Sequence, residues 1–233
     1  MIHTLDPAKV TATAERLQAR VSDRFPKSGL ARVAAEVVEA GRESAAVAEA
    51  LGRPMLRYRV VASLGILSLL GLIFWGAAAV GIQASRQQDA FGLIDVLQAA
   101  DSGVNDLIFL SIAVFFLIRL EQRFKRDRAL NMLHKIRSLA HIIDMHQLTK
   151  DPDTIGPEAM PTPNSPVRQM TAFELRRYFD YCSEMLSILS KMAAILVEDF
   201  DDPVTLSAVN EVENLTSGLA RKIWQKIMVA SQA

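Results

Sequence analysis

VVASLGILSLLGLIFWGAAAVGI, residues 60–82, is a run of 23 residues without a charge. About 20 apolar residues are enough to cross a ~30 Å hydrocarbon core as a helix, so a membrane span is expected here and the rest of the chain is organised around it. Residues 104–120 are a second, less uniform candidate. The stretch 107–118 is uncharged, with Asn105 and Asp106 at one end and Arg119 at the other. Together the two stretches make a helical hairpin in a bilayer, joined by a short outer loop over 83–103.

The distribution of charge orients that hairpin. Net charge is zero, with 26 basic and 26 acidic residues, so the total excludes little. Residues 1–52 are balanced, whereas Arg53, Arg57 and Arg59 precede the first span without an acid among them. The turn carries Asp89, Asp95, Asp101 and Asp106 against Arg86, and residues 119–148 hold seven basic against three acidic side chains. Lys and Arg next to a span stay on the cytoplasmic side. Both termini are therefore expected in the cytoplasm, with the protein in the plasma (inner) membrane. Tyr58 stands at the inner interface and Trp75 in the outer half of the first span. A long charged segment before the first apolar run argues against a cleaved secretory signal.

Outside the spans the hydrophobic period is helical, and the fold class expected is all-α. Asp6-Pro7 is an N-cap followed by proline at the first helical position, and Val10, Ala14, Leu17 and Val21 recur at helical spacing. Pro26 ends that helix. Ser28 caps a second one with Leu30, Val33, Val37, Ala40, Val47 and Leu51 on its apolar face. Phe91 to Leu97 is amphipathic and too short to span, which suits the outer membrane surface, with Gly103 a break before the second span. No Pro or Gly then interrupts the chain until Pro152, so one rod over about 104–148 is expected. Five of the nine prolines fall in 149–170, a linker composition. Thr171 to Glu174 matches a capping box. Leu175, Phe179, Cys182, Leu186, Leu189, Ala193 and Leu196 continue that helix towards Phe200. Asp202-Pro203 starts a last helix with Leu206, Val209, Val212, Leu219, Ile223 and Ile227 as its apolar set.

The expected organisation is an N-terminal cytoplasmic helical hairpin over 1–53, a transmembrane hairpin over 54–120, and a cytoplasmic extension of the second span over 121–148. A Pro-rich linker over 149–170 and a C-terminal helical hairpin over 171–233 follow. The N-terminal pair and the C-terminal helices build a cytoplasmic bundle. Two spans plus a helical cytoplasmic body broadly resemble bacterial two-pass effector and regulatory membrane proteins, a likeness of layout alone, and layout does not determine function.

Candidate chemistry concentrates on the rod. His134, Arg137, His141 and Asp144 follow at spacings of three, four and three, so all four leave one side of a helix. Beside them Leu133, Ile136, Ala140 and Ile143 form its apolar face. Three roles fit: a structural network pairing Arg137 and Asp144 with each other or with neighbouring helices, a metal site on His134, His141 and Asp144, and a pH-sensitive switch at His141. The network ranks first, because His134 and His141 are seven residues apart and ligands on one helix prefer three or four. His146 points elsewhere and reads as a helix C-terminal or loop residue. Asn105 and Asp106 read as a helix start, where Asp106 would meet the positive end of the dipole, or else as the outer mouth of an oligomeric pore. Arg119, Arg123, Lys125, Arg126 and Arg128 form a basic collar that determines topology and offers contacts to lipid headgroups.

Cys182 is the only cysteine, which excludes an internal disulfide and multi-cysteine metal sites. The sequence holds no Walker loop, GxGxxG, HExxH or GxSxG, which argues against an enzyme, and no cofactor or nucleic acid is implied. The function expected first is a membrane-anchored helical interaction or regulatory module, partnered by the bilayer and by a second copy or another protein. A small oligomeric ion channel or membrane-perturbing effector comes second, and a metal-dependent membrane enzyme third.

Overall fold

The computed structural model describes residues 4–86, 93–150 and 170–232. Among these it is all-helical: α1 (Pro7–Arg24), α2 (Gly29–Gly52), α3 (Leu56–Arg86), α4 (Leu93–Leu148), α5 (Ala172–Ala194) and α6 (Pro203–Gln232), with a 3-10 turn at Ile195–Val197 after α5. The chain divides into two compact units, one of residues 1–53 and 126–233 and the other of residues 54–125.

Local chemistry starts and stops the helices of the first unit. Asp6 Oδ1 accepts from the Ala8 and Lys9 N–H groups at 2.9 and 3.4 Å, and Ser28 Oγ accepts from Ala31 N–H at 3.1 Å. Thr171 and Glu174 form the reciprocal capping box, with Glu174 N–H donating to Thr171 Oγ1 (3.2 Å) and Thr171 N–H to Glu174 Oε2 (2.8 Å). Each such cap contributes about 1 kcal/mol. Between α1 and α2, buried Phe25 is followed by Pro26 and by Lys27 at φ 61°, a left-handed turn that reverses the chain.

Contacts along the helices give their directions. Only four residues separate Arg24 from Gly29, and Thr11 Oγ1, well back along α1, donates to the Gly41 carbonyl, well along α2, so α2 runs back along α1. Arg20 pairs with Glu184 while Leu5 N–H donates to Glu198, so α5 also opposes α1. Lys135 pairs with Glu43, and Arg126 and Arg137 of α4 meet Asp202 and Glu211 of α6 in the same order along both helices. The result is a bundle of α1, α2, the second half of α4, α5 and α6 about one core. Val10, Ala14, Leu17, Val21, Phe179, Leu186, Leu189, Ile136, Ile143 and Ile223 lie in it. Gly41 lies against α1, where a Cβ would stand 3.8 Å from Thr11 Cα. Both connections to residues 54–125 leave from the end of the bundle that carries Asp6, Gly52, Asp202 and Arg126.

Four expectations need correction. The loop over 83–103 is shorter, because α3 continues to Arg86 and α4 starts at Leu93. Gly103 does not break α4, since one glycine costs only about 1 kcal/mol in a helix and Leu97, Gln98, Ala99 and Ala100 before it are good helix formers. The end of α5 comes at Ala194, with the 3-10 turn covering Ile195–Val197. On α6, Leu206 is 46 % exposed, and the core positions are taken by Thr205 and Thr216. Their spacing with Val209, Val212, Leu219 and Ile223 is the better helical period. Both hydroxyls are satisfied, Thr205 Oγ1 by Asp202 Oδ2 at 2.8 Å and Thr216 Oγ1 by the Val212 carbonyl at 3.0 Å. The expected linker over 149–170 lies mostly outside the described residues.

Asp202 joins α6 to α4. Its side chain is 7 % exposed and accepts from Arg126 Nη2 (2.6 Å), from Arg126 Nε (3.0 Å) and from Thr205 N–H (2.9 Å). Burial alone would raise its carboxyl, but the hydrogen bonds from Arg126 and Thr205 and the Arg126 charge outweigh burial and hold it below its ordinary value. Asp202→Asn keeps a cap and loses the charge, so it should lower bundle stability by about 2 kcal/mol near neutral pH. A depressed carboxyl contributes stability above its unfolded pKa of about 3.9 and loses it as pH falls through the folded value. The gap in melting temperature between parent and Asp202→Asn should therefore be constant from pH 7 to about 5 and close at lower pH. A gap that widens on acidification would contradict the pairing.

Candidate functional site

The helices α3 and α4 contain the only two segments among the described residues that are long and apolar enough to cross a membrane, within Arg59–Ala79 and Gly103–Leu148. None of the residues in the two most apolar windows is buried within the chain. On α3, Leu64, Leu67, Leu72, Phe74 and Trp75 are exposed, and on α4 so are Ile108, Phe109, Ile112, Phe115 and Phe116. Gly65, Gly71 and Gly76 have nothing within 4 Å of where a Cβ would stand.

At the charged end of these segments a single carboxylate ties α3 to α4. Glu121 Oε1 accepts from the Met55 backbone N–H at 3.2 Å, just ahead of the first turn of α3, where N–H groups lack partners within the helix. Lys125 Nζ lies 3.4 Å from the same oxygen, and Arg59 Nε is 3.8 Å from Oε2. The Glu121 and Lys125 side chains are only 15 % and 11 % exposed. Glu121 is a contact residue between α3 and α4 that sequence reasoning missed. It is one of two acids, with Asp127, within the run of cations over 119–128, but its partner Met55 is 66 residues away.

The collar residues go separate ways. Lys125 is engaged by Glu121 and Arg126 by Asp202. Arg119 and Arg123 are exposed, with the Arg119 guanidinium 4.9 Å above the Phe115 ring, and Arg128 is exposed on the bundle. By helical geometry Arg119 and Arg123 each lie about 160° around α4 from Glu121, on the side away from α3.

The polar stripe on α4 faces outward. His134, Arg137 and His141 are exposed and Asp144 is half-buried. Arg137 does not reach Asp144: its Nη1 lies 3.4 Å from Glu211 of α6 with half of its side chain in solvent, and Asp144 Oδ1 accepts from Gln147 Nε2 at 2.7 Å. Buried Ile136, Ala140 and Ile143 define the core side, and the stripe lies at its edge with Asp144 its one half-buried member. The proposed metal set of His134, His141 and Asp144 is not assembled. Two of its members are about 10 Å apart along the axis, and no three metal-ligating side chains converge among the described residues. His146 is in the last turn of α4, its ring against Gly29, where a Cβ would meet Cε1 at 2.5 Å.

Asn105 is exposed and Asp106 half-buried. Neither starts a helix. Asp106 follows the first residue of α4 by 13 positions, about 20 Å of rise, too far to interact with the positive end of the helix. The acidic corner between α5 and α6 is structural at two of its members, Glu198 accepting from Leu5 N–H and Asp202 capping α6. Cys182 is buried in the core, and burial pushes its thiol up, away from nucleophilic reactivity.

Loss of the Glu121 carboxylate should release the start of α3. In Glu121→Ala, hydrogen exchange at the Met55 amide should accelerate by about tenfold, the equivalent of ~1.4 kcal/mol, as expected for a lost charge-assisted hydrogen bond. An unchanged rate would remove Glu121 from this role. The chain matches no known protein family, no characterised protein and no solved structure.

Proposed function

We propose that this chain is a two-pass integral membrane protein whose helical bundle stands in the cytoplasm as an interaction or regulatory module. The observation that carries the proposal is that the most apolar windows of two helices have no buried residue, in a chain that elsewhere packs a core. Leaving eleven side chains such as Leu64, Leu67, Leu70, Leu72, Phe74, Trp75, Ile108, Phe109, Ile112, Phe115 and Phe116 in water forfeits roughly 20 kcal/mol of burial. Hydrocarbon recovers it. Helices of this length satisfy their own backbone, as lipid requires.

The bundle adds a topological support. Residues 1–53 and 126–233 share one core, so they must lie on the same side of any membrane, and two spans are the smallest number that returns the chain to its starting side. The excess of Arg and Lys beside the spans supports a cytoplasmic side for the bundle. An interaction role draws on apolar side chains left open on the bundle away from its two connections: Trp224 and Met228, four apart on α6, and Met145 and Leu148, three apart on α4.

Asp106 supports a second function, conduction by an oligomer. Asp106 stands at the end of the uncharged stretch 107–118, and ionisable residues of membrane helices are costly and commonly retained for ion or proton passage. Cation flux through reconstituted liposomes that disappears in Asp106→Asn would favour it over anchoring alone.

The membrane assignment is tested with the intact chain in cells. The protein should remain in the membrane pellet after alkaline carbonate. Cys182 is buried, so single cysteines placed at exposed Glu36 and Asn210 can be read against a silent background. Both should react with an impermeant maleimide only after the inner face is opened. Reaction of either in intact cells, or release by carbonate, would overturn the topology.

A further inference from the structure

The collar of cations on unit 54–125 is divided by the fold into engaged and open members. Sequence segments 54–62 and 117–125 contain Arg57, Arg59, Arg119, Arg123 and Lys125 against one acid, Glu121. That acid is used internally, by the Met55 N–H, by Lys125 and at longer range by Arg59. Arg119 and Arg123 stand about 160° around α4 from Glu121 and are exposed, as is the next acid along the helix, Asp127.

These two arginines continue an exposed apolar face. Arg119 follows Ile112 by seven residues and Phe115 by four, and Arg123 follows Phe116 by seven, so all five share one side of α4. Ile112, Phe115 and Phe116 are all exposed, and the Arg119 guanidinium is held 4.9 Å over the Phe115 ring. Read along the helix, this face is hydrocarbon-compatible, then aromatic, then cationic. That is the order of environments met on leaving a bilayer through its headgroups.

We propose that Arg119 and Arg123 form a binding surface for anionic phospholipid headgroups on the leaflet next to the bundle. The chemistry is that of a guanidinium on a phosphate oxygen, a pairing that a planar fork of donors makes well. Lys125 and Arg126 lie outside the surface, because their charges are taken by Glu121 and Asp202. The proposal rests on the membrane assignment above and adds which lipid the protein holds.

The test uses the full chain reconstituted in vesicles of equal parts phosphatidylglycerol and phosphatidylcholine, then extracted gently for native mass spectrometry of the retained lipid. The parent should retain phosphatidylglycerol at least about fivefold over phosphatidylcholine, the worth of one arginine near an anionic surface. The preference should weaken as salt rises. Arg119→Gln with Arg123→Gln should abolish the preference, while Arg119→Lys with Arg123→Lys should keep part of it. Arg42→Gln, which removes a charge paired with Glu15 on the bundle, should leave it intact. Both target side chains are exposed, and equal melting temperatures will establish that the variants fold. A parent that floats with vesicles but holds both lipids equally, or a double Gln variant that keeps the preference, overturns the proposal and leaves the membrane assignment standing. A parent that floats with neither lipid removes the membrane assignment itself.

Discussion

One helix has to satisfy two environments along its length. The most apolar window in the first part of α4 has no buried residue. From Ala129 onward only one stripe is apolar, and that stripe is buried to the last turn, through Met132, Leu133, Ile136, Leu139, Ala140 and Ile143. A helix that is hydrophobic all round needs an apolar solvent, whereas an amphipathic one needs partner helices. The change occurs without a break in the backbone, so it is written entirely in side chains. Everything else follows from it: α1, α2, α5 and α6 are recruited to cover the amphipathic half, and α3 accompanies the other.

The two halves are fastened by neighbouring residues with different partners. Lys125 turns to Glu121 on its own helix, and Arg126, rotated by about 100°, takes Asp202 at the start of α6. Each carboxylate also holds a backbone N–H at or beside the start of a helix, Met55 for Glu121 and Thr205 for Asp202. In both cases one charge caps a helix and anchors it to α4. Such an arrangement outweighs ordinary surface ion pairs of this molecule, such as Arg42 with Glu15, which contribute little because both partners are solvated.

Features governed by near neighbours were legible in the sequence. The caps at Asp6, Ser28 and Thr171 depend on residues two or three positions away, and the apolar faces of α1 and α5 follow one helical period. Where partners come from afar, the sequence misled. Thr205 and Thr216 lie in the core because a hydroxyl can be satisfied by an adjacent carboxylate or carbonyl, which frees a polar residue to take an apolar position and leaves Leu206 outside. Residues 93–103 joined α4 because helical propensity on both sides of Gly103 outweighed one unfavourable residue. The stripe of His134, Arg137, His141 and Asp144 had the right spacing to be one cluster, but spacing fixes only the side of the helix. Which member meets another helix is set by where the neighbouring helices pack, and Arg137 meets Glu211 of α6 rather than Asp144.

The same reasoning separates charges that merely sit near one another in sequence. Five cations between residues 119 and 128 form one collar on paper, yet a cation that already has a buried or half-buried carboxylate gains little from a phosphate, because it would have to leave one anion for another. Arg126 and Lys125 are in that position. Arg119 and Arg123 are not, and their separation from Glu121 is a consequence of the odd spacings 119, 121, 123 and 125 on a helix of 3.6 residues per turn. Two turns of α4 thereby present one acid and one base inward and two bases outward. The outward pair lies on the face that continues Phe115 and Phe116, so the positions that anchor the helix pair and the positions open to a headgroup are allotted to opposite sides of a single helix.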